Sequence, residues 1–379
     1  MTDFTDCWSD PLALGKLRLA KISSVSKTIK SDLKVPDIFK PVIFPQKPET
    51  SLLPVNADDK RVIGGICDIN QLCPMRYEWS WDYFLKANEL HWTPTETNLA
   101  KDFYAFKNTL SFDEINTIKN SLSFLAVSSV LSMRVIGLGF MEKMSAPELQ
   151  IFNARIMYEK ALHSWSYQYI FESLGIDSKS IYQSYKQISE ISQIINCVDE
   201  YVSSINTANM DFNDKKQILI FVKSYVFFSA IFEGVWIQNA LIPLLALCKY
   251  RGLKGLENIF TNIYKGIVNH SEFGFKIIKH ILAENLVKID IAFLNEMKGM
   301  ACGLYNNYAD LVINNSLSSC NLDEFKEYSC QLVDDSFSKI GLIKQKTINN
   351  ISFPWLFELQ GNVSHSPDVA QVNSPLRWD

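Results

Sequence analysis

The sequence lacks three features that would point to common classes of protein. Its 37 lysine and arginine residues do not exceed its 41 aspartate and glutamate residues, so it has no basic excess of the kind that binds nucleic acid. The residues after the first methionine, Thr-Asp-Phe-Thr-Asp-Cys, contain no apolar run, and we expect no signal peptide. No long segment alternates apolar and polar residues, so we predict no exposed β-sheet.

Cysteine occurs at eight positions but follows no ligand pattern. No two cysteines have the Cys-x-x-Cys spacing of zinc or redox motifs, and Cys67 and Cys73 alone are near neighbours. Scattered cysteines are typical of proteins that keep free thiols in a reducing compartment. We therefore predict a cytoplasmic protein with neither a zinc site nor a disulfide framework.

Residues 225–248 form a nearly unbroken apolar run that is long enough to cross a membrane. Glu233 lies near its middle, and Gln238 and Asn239 follow, and all three side chains are unfavourable in lipid. A helix that is apolar on all sides is also expected at the centre of a large soluble bundle. We favour the central helix and predict no membrane partner.

Apolar residues recur every three or four positions through most of the chain, which indicates amphipathic helices. The predicted helices cover residues 79–90, 111–139, 147–175, 178–207, 212–249, 255–283, 287–317 and 322–338. Helices of this length predict an all-α, long-helix bundle. We assign residues 61–350 to the bundle, the proline-rich residues 1–60 to an extended or partly disordered arm, and residues 351–379 to a C-terminal tail.

Three functional side chains share one face of the helix predicted at 147–175. Lys160, His163 and Tyr167 are three or four residues apart, so they lie above one another on the same side. Taken alone, this triplet is compatible with an ordinary packed core and also with a functional site.

Several short motifs occur in a fixed order along the chain, at residues 61–65, 72–79, 92–96, 110–114, 159–175, 232–234, 269–274, 353–355 and 376–379. Together they resemble the small, radical-harbouring subunit of class I ribonucleotide reductase, a ferritin-like helical protein. The resemblance implies a ferritin-like bundle and a ribonucleoside-diphosphate reductase beta subunit. Such a subunit supplies a tyrosine radical to a separate large catalytic subunit for deoxyribonucleotide synthesis.

The resemblance also assigns roles to individual residues. His163, Glu233 and His270 fall on metal-ligand positions of the family. Members of the family hold two iron or manganese ions between four long helices. Tyr167 falls on the radical tyrosine, and Trp92 falls on a tryptophan of the electron-transfer chain.

Other positions depart from the family pattern. Ser129, Lys160 and Ile267 stand where the family has acidic metal ligands. Gly266 replaces a neighbouring acid, and Ala370 aligns with the tyrosine of the family's tail. Some members of the family work without metal, with a modified tyrosine and with a lysine among the former ligand positions.

The charge of these residues argues against an ordinary dimetal centre. Two divalent ions bring four positive charges, whereas the matching positions retain one carboxylate and add a lysine, and a buried charge surplus is very unfavourable. We favour a site without any bound cofactor, in which Lys160 and Glu233 form an ion pair. The alternatives are a single iron, manganese or zinc ion on His163, His270 and Glu233, and a shifted register in which Glu159 serves as a ligand.

Two functions remain open at this level. The first is an active small subunit with a metal-free site, in which Tyr167, Trp92 and Lys160 carry the chemistry. The second is a catalytically silent homologue that acts as a structural or regulatory partner. A further class is a ferritin-like oxidase or a mononuclear metal protein. In the first two cases we expect a homodimer or heterodimer of small subunits and docking to the large subunit through the tail residues Leu376, Trp378 and Asp379.

Overall fold

The computed structural model describes residues 56–65, 72–89, 91–205, 210–313, 319–344, 353–356 and 359. Within these residues the chain is helical and forms no β-strand; a single antiparallel bridge joins Ile63 to Met144. The predicted arm before residue 56 lies outside the described residues, as do the tail positions Ala370, Leu376, Trp378 and Asp379.

The helices follow one another with short connections, as the periodicity predicted. They are α1 Glu78–Glu89, α2 Ala100–Asn108, α3 Phe112–Arg134, α4 Pro147–Leu174, α5 Ser178–Ser184, α6 Ser189–Ser203, α7 Lys215–Val226, α8 Ile242–Arg251, α9 Lys254–Asn285, α10 Ile291–Val312 and α11 Leu322–Ile340. The prediction of an all-α, long-helix bundle is confirmed.

The two helices that frame the site have clear sequence signals at their ends. The Ser111 side chain accepts from the backbone N–H of Glu114 and the Glu114 carboxylate accepts from that of Ser111, which forms a capping box at the start of α3. Pro147 occupies the first position of α4. Gly175 ends α4 in the left-handed region, with φ of 65°, where glycine has no steric penalty.

Two stretches of the bundle are wound as π-helix. The helix α3 continues as a π-helical segment over Val135–Phe140, and α7 continues as one over Phe227–Ile237, whose residues are all buried. One turn at Gln238–Ala240 then leads into α8. π-Helical segments are frequent at functional sites, and the second one contains Glu233.

Two helical stretches are long and apolar enough to cross a membrane. They are Phe112–Lys143 and Lys215–Arg251, and the most apolar window of the second is 83% buried inside the bundle. This second stretch contains the run at 225–248, which forms the centre of the bundle as predicted. In the most apolar window of the first stretch, 56% of the residues are buried.

Two of the predicted helices are interrupted. The single helix predicted at 178–207 is two helices, α5 and α6, separated by a turn at 185–188 that carries no proline or glycine. The helix predicted at 212–249 changes from α-helical to π-helical winding at Phe227 and back after Ile237. It restarts at Ile242, which Pro243 follows. Pro243 accounts for the restart of the second helix, because proline lacks the N–H that a helix interior needs. The turn at 185–188 has no such residue.

The cysteine prediction was wrong at one pair. Cys302 on α10 and Cys330 on α11 form a disulfide, with a Cα–Cα distance of 5.5 Å that suits such a bond. The two positions are 28 residues apart, so their contact depends on the antiparallel packing of the two helices and leaves no spacing signal. Cys73, Cys197, Cys248 and Cys320 are free thiols.

The segment before α1 is fixed to the bundle by buried polar contacts. The Lys60 ammonium group lies 3.4 Å from the Glu148 carboxylate on α4, and neither side chain is exposed. The other oxygen of Glu148 accepts hydrogen bonds from the backbone N–H groups of Arg76 and Tyr77. These contacts hold α1 against the N-terminal half of α4.

Candidate functional site

The helix α4 directs its functional triplet into the bundle. Lys160, His163 and Tyr167 are at most 2% exposed, so the shared face expected from their spacing is the inward face. Neighbouring Glu159 is also buried. The centre of the bundle therefore contains a cluster of polar and ionisable groups.

The predicted ion pair between Lys160 and Glu233 is present. The Lys160 ammonium group contacts one carboxylate oxygen of Glu233, and the Ser132 hydroxyl donates to the other oxygen at 2.5 Å. The lysine and the glutamate are 1% and 3% exposed, respectively, at their side chains. In such a dry environment each charge depends on the other, because removing one partner leaves an uncompensated buried charge.

Glu159 forms a second polar contact with the opposite helix. Its Oε2 atom lies 2.7 Å from Nε2 of His270 on α9, and its Oε1 atom lies 3.1 Å from the guanidinium group of Arg155. Burial raises the pKa of Glu159, but His270, Arg155 and Lys160 outweigh it, and the net pKa is below its usual value. Glu159 is therefore a carboxylate that faces His270.

From the sequence, Glu159 was expected only as an alternative metal ligand in a shifted register. Its contact with His270 was not predicted. The signal that was available is its spacing from His163, because residues four apart share a helix face. The contact with His270 could not be deduced, since it depends on the alignment of α4 with α9.

His163 is held as a neutral imidazole. Burial lowers its pKa well below the usual value, and the charges of Lys160 and His270 lower it further. Its ring centroid is 6.3 Å from that of His270. In each ring Nδ1 is buried and has no hydrogen-bond partner among the described residues.

The positions that depart from the family pattern surround this cluster. A Cβ atom at Gly266 would lie 3.0 Å from Oε2 of Glu159 and 3.6 Å from Nε2 of His163, so this glycine leaves space between the two side chains. Ile267 is fully buried and contributes an apolar side chain where a ligand was expected. Ser129 is buried and lies beside Tyr167.

Tyr167 lies in a fully buried environment. Burial raises the pKa of its phenol, the neighbouring Ser129 hydroxyl lowers it, and the Glu233 carboxylate raises it again. The net shift is upward, so the phenol keeps its proton at neutral pH.

Trp92 is half-buried and packs against the core from the segment before the short turn Pro94–Glu96. That turn packs against α4. The role of Trp92 in electron transfer stays a prediction.

The residues of the cluster do not fit a dimetal centre. Two divalent ions carry four positive charges, whereas Glu159 and Glu233 supply two negative ones and Lys160 and Arg155 add two further positive charges at the same place. In the described part of the chain, no three His, Cys, Asp or Glu side chains are arranged to hold a metal ion. A cavity of about 10 Å³ between Glu233 and His270 has room for about one water molecule.

A single ion on His163, His270 and Glu233 fits no better. Both oxygens of Glu233 are already engaged, one with Lys160 and one with Ser132. Nε2 of His270 is engaged with Glu159. A metal would have to displace these partners and would leave the Lys160 ammonium group buried without a counter-charge.

A long-helix bundle in which acids and histidines from neighbouring helices converge at the centre defines a ferritin-like protein. The family described as "Ribonucleotide reductase, small chain" matches residues 69–347. The chain therefore belongs to the ribonucleotide reductase small-chain family, as its motifs indicated.

Known proteins agree with this assignment. The ribonucleoside-diphosphate reductase subunit beta of Chlamydia pneumoniae is 26% identical over 299 residues, which cover 77% of this chain and 85% of that protein. The ribonucleotide reductase R2 subunit from Clostridium botulinum has a similar fold, with a TM-score of 0.68 at 18% identity, covering 79% of this chain and 94% of that one.

The ribonucleotide reductase Rnr4 homodimer from Saccharomyces cerevisiae is also similar in fold. Its TM-score is 0.60 at 17% identity, and the match covers 76% of this chain and 88% of that one.

Proposed function

We propose that this chain is a radical-supplying small subunit of ribonucleoside-diphosphate reductase whose central site works without metal. The observation that carries the proposal is the ion pair between Lys160 and Glu233. This pair places a cation where family members have a metal-binding acid, and the cation neutralises the Glu233 carboxylate. The protein would act with a separate large catalytic subunit in the cytoplasm.

Tyr167 is the radical site of this proposal. Its phenol is fully buried and protonated, so a one-electron oxidant supplied from outside this chain, which also takes up the phenol proton, would leave a neutral phenoxyl radical on Tyr167 and be reduced by one electron itself. A neutral radical suits a dry environment, because a buried charge without a counter-charge is strongly disfavoured. The Lys160–Glu233 pair keeps the neighbouring charges balanced before and after this step.

An exposed apolar face supports pairing with a second small subunit. Gly137, in the π-helical continuation of α3, lies against Met157 of α4, so the two helices adjoin at this point. Large apolar side chains that are exposed on these two helices are Val130 and Leu138, on α3 and its π-helical continuation, and Tyr158 and Trp165, on α4. Exposed apolar side chains on adjoining helices are candidates for a protein interaction site.

We therefore propose that this α3/α4 face (Val130, Leu138, Tyr158 and Trp165) forms the interface with another small subunit. The large subunit would instead bind the C-terminal tail through Leu376, Trp378 and Asp379, as the resemblance implies.

Electron paramagnetic resonance on protein purified from its native host tests the radical. We expect a tyrosine-type signal that is lost in Tyr167→Phe and kept in Tyr104→Phe, a matched change at an exposed tyrosine on α2. Ribonucleoside-diphosphate reduction with the cognate large subunit should follow the same pattern, and elemental analysis should find no stoichiometric iron, manganese or zinc. A protein without signal and without turnover would instead be the silent homologue, and the proposal would be wrong.

A further inference from the structure

The disulfide between α10 and α11 lies where small molecules can reach it. Cys302 and Cys330 are both half-buried. A Cβ atom added at Gly303, next to Cys302, would lie more than 4 Å from every described residue outside its own stretch of helix, so the surface beside the sulfur is open. The free thiols inside the bundle are buried instead, at Cys197, Cys248 and Cys320.

The two helices are held in register by contacts that do not involve sulfur. Lys298 on α10 lies 2.7 Å from Asp334 on α11, and each is one helical turn from the cysteine of its own helix. On the other side of the disulfide, the buried rings of Tyr305 and Phe325 lie 5.9 Å apart. These contacts keep the two cysteines opposite each other when the bond is open, so the bond can close again.

The same two helices contact the π-helical segment of the central site. The indole N–H of Trp236 donates to the backbone carbonyl of Ala301, the residue before Cys302, at 3.3 Å. On α11, the Ser336 hydroxyl oxygen would lie 3.5 Å from a Cβ atom at Gly234, which directly follows the acid of the central ion pair. A movement of α10 or α11 therefore reaches the segment that presents this acid.

The other cysteines indicate that this bond is redox-sensing. Four of the described cysteines are free thiols, which is typical of a chain in a reducing compartment. In such a compartment a disulfide is usually transient, and catalytic or redox-sensing. The packing between α10 and α11 does not depend on the bond, so both helices can stay folded when it opens.

We propose that the Cys302–Cys330 bond is a reversible thiol–disulfide switch that sets how firmly α10 and α11 hold the π-helical segment. The closed bond clamps the segment and keeps Glu233 against Lys160. The open dithiol lets the segment open locally more often. The switch goes beyond the proposed function, because it requires the fold and thiol chemistry but no radical on Tyr167.

A small disulfide such as oxidised glutathione closes the switch in two exchange steps. The Cys302 thiolate attacks one sulfur of that disulfide, which forms a mixed disulfide and releases one glutathione. The Cys330 thiolate then attacks the Cys302 sulfur, so the bond within the protein forms and the second glutathione leaves. The two cysteines lose two electrons and two protons, which the two molecules of reduced glutathione carry away. Reduced glutathione opens the bond by the reverse steps.

Hydrogen exchange with mass spectrometry tests the switch on the full-length protein, equilibrated at a series of ratios of reduced to oxidised glutathione. Alkylation of free thiols gives the fraction of closed bond, which should change from closed to open within the series. In the open form we expect amides of the π-helical segment and of α11 to exchange about tenfold faster or more. Amides of α2, which packs on α4 and α9, should change by less than about twofold.

Three results would overturn the switch. The first is a bond that stays closed, or stays open, at every ratio. The second is a π-helical segment whose exchange does not change when the bond opens. The third is an equal acceleration in α2, which is expected of a disulfide that stabilises only the whole fold. Since no radical is measured, a chain without the radical of the proposed function can still show the switch.

Cys302→Ser should hold the switch open. We expect its π-helical segment to exchange at the fast rate at every glutathione ratio, and a response like that of the wild type would contradict the proposal. The matched control is Cys73→Ser, which removes an exposed free thiol outside the pair and should respond as the wild type does. Urea unfolding of each variant checks that it folds.

Lys298→Met tests the alignment of the two cysteines. Without the pair to Asp334, closing half of the bonds should require a several-fold higher proportion of oxidised glutathione. The matched control is Lys339→Met, whose partner Asp335 lies on the same helix, and it should leave that proportion unchanged. An equal shift in both variants would contradict the alignment on which the reversibility of the switch depends.

Discussion

The Lys160 ammonium group on α4 contacts the Glu233 carboxylate in the π-helical segment, although the two residues are 73 positions apart in the sequence. Both side chains are almost completely shielded from water. By the resemblance in sequence, the pair lies where members of the family concentrate negative charge around metal ions. The radical chemistry proposed for Tyr167 depends on this replacement of a metal site by an ion pair.

Breaking the pair should strongly destabilise the protein. We expect Lys160→Met to lower the free energy of unfolding by about 3–5 kcal/mol, because Glu233 is left charged and buried. The double variant Lys160→Met with Glu233→Gln should recover part of that loss, since no charge remains. Urea unfolding measures both.

The matched control is Lys223→Met, which breaks a partly exposed pair with Asp290 and should cost less than about 1 kcal/mol. If Lys160→Met costs no more than this control, the central pair does not stabilise the bundle.

Restoring acids at the three changed ligand positions should create a metal site. We expect the triple variant Ser129→Asp, Lys160→Glu, Ile267→Glu to retain about two iron or manganese ions per chain after reconstitution and gel filtration. The double variant that keeps Lys160 should retain far less metal, because the cation still opposes binding. Elemental analysis gives the stoichiometry, and a wild-type chain that also retains two ions would contradict the charge argument.

The pair between Glu114 and Arg251 should make stability depend on pH in the acid range. Burial raises the pKa of Glu114, but the hydrogen bonds from Arg251 at 2.6 and 3.0 Å and from Ser111 lower it below its usual value of 4.5. A carboxyl group whose pKa is lower in the folded state stabilises the protein above about pH 4.5 and loses that effect as the pH falls through the folded-state pKa.

The variant Glu114→Gln tests this dependence, because glutamine keeps the capping box but removes the charge. Its free energy of unfolding should be about 1 kcal/mol lower than that of the wild type at pH 7, and the difference should shrink as the pH falls below 4.5. Urea unfolding at a series of pH values gives the difference. Glu257→Gln, at a more exposed pair with Lys254, is the control and should show little difference at any pH.

Pairing through the α3/α4 face should be sensitive to a single charge. We expect Trp165→Glu to weaken the dimer at least tenfold, because a carboxylate would be buried in an apolar interface without a partner. Sedimentation velocity over a range of concentrations measures the effect. The control is Tyr104→Glu, at an exposed aromatic side chain on α2, outside the α3/α4 face. It should leave the dimer intact. A dimer that persists in both variants would place the interface elsewhere.

The helices could be predicted because their periodicity is local. Ser111 with Glu114, and Pro147 with Gly175, mark the ends of α3 and α4 in the sequence itself. The break at 185–188 could not be predicted, since no residue there disfavours a helix by its own chemistry. The winding of Phe227–Ile237 was also missed, because a search at 3.6 residues per turn does not register a π-helix.

The site could be predicted in part. The ion pair followed from charge arithmetic once Lys160 and Glu233 were assigned to the same centre by resemblance. The contact between Glu159 and His270 required the distance between two helices, and so did the disulfide between Cys302 and Cys330. Pairings of this kind have no signal in the spacing of either partner.

The π-helical segment Phe227–Ile237 also fixes the angle at which its helix presents Glu233. Each residue of an ordinary α-helix advances the side chains by about 100°. The wider π-helical winding, with its i→i+5 hydrogen bonds, advances them by less per residue. Rewinding residues 227–233 as an α-helix of the same length would therefore turn Glu233 relative to Phe227 and away from Lys160. The central charge pair thus depends on the winding of the helix that presents Glu233 as well as on the identity of its two residues.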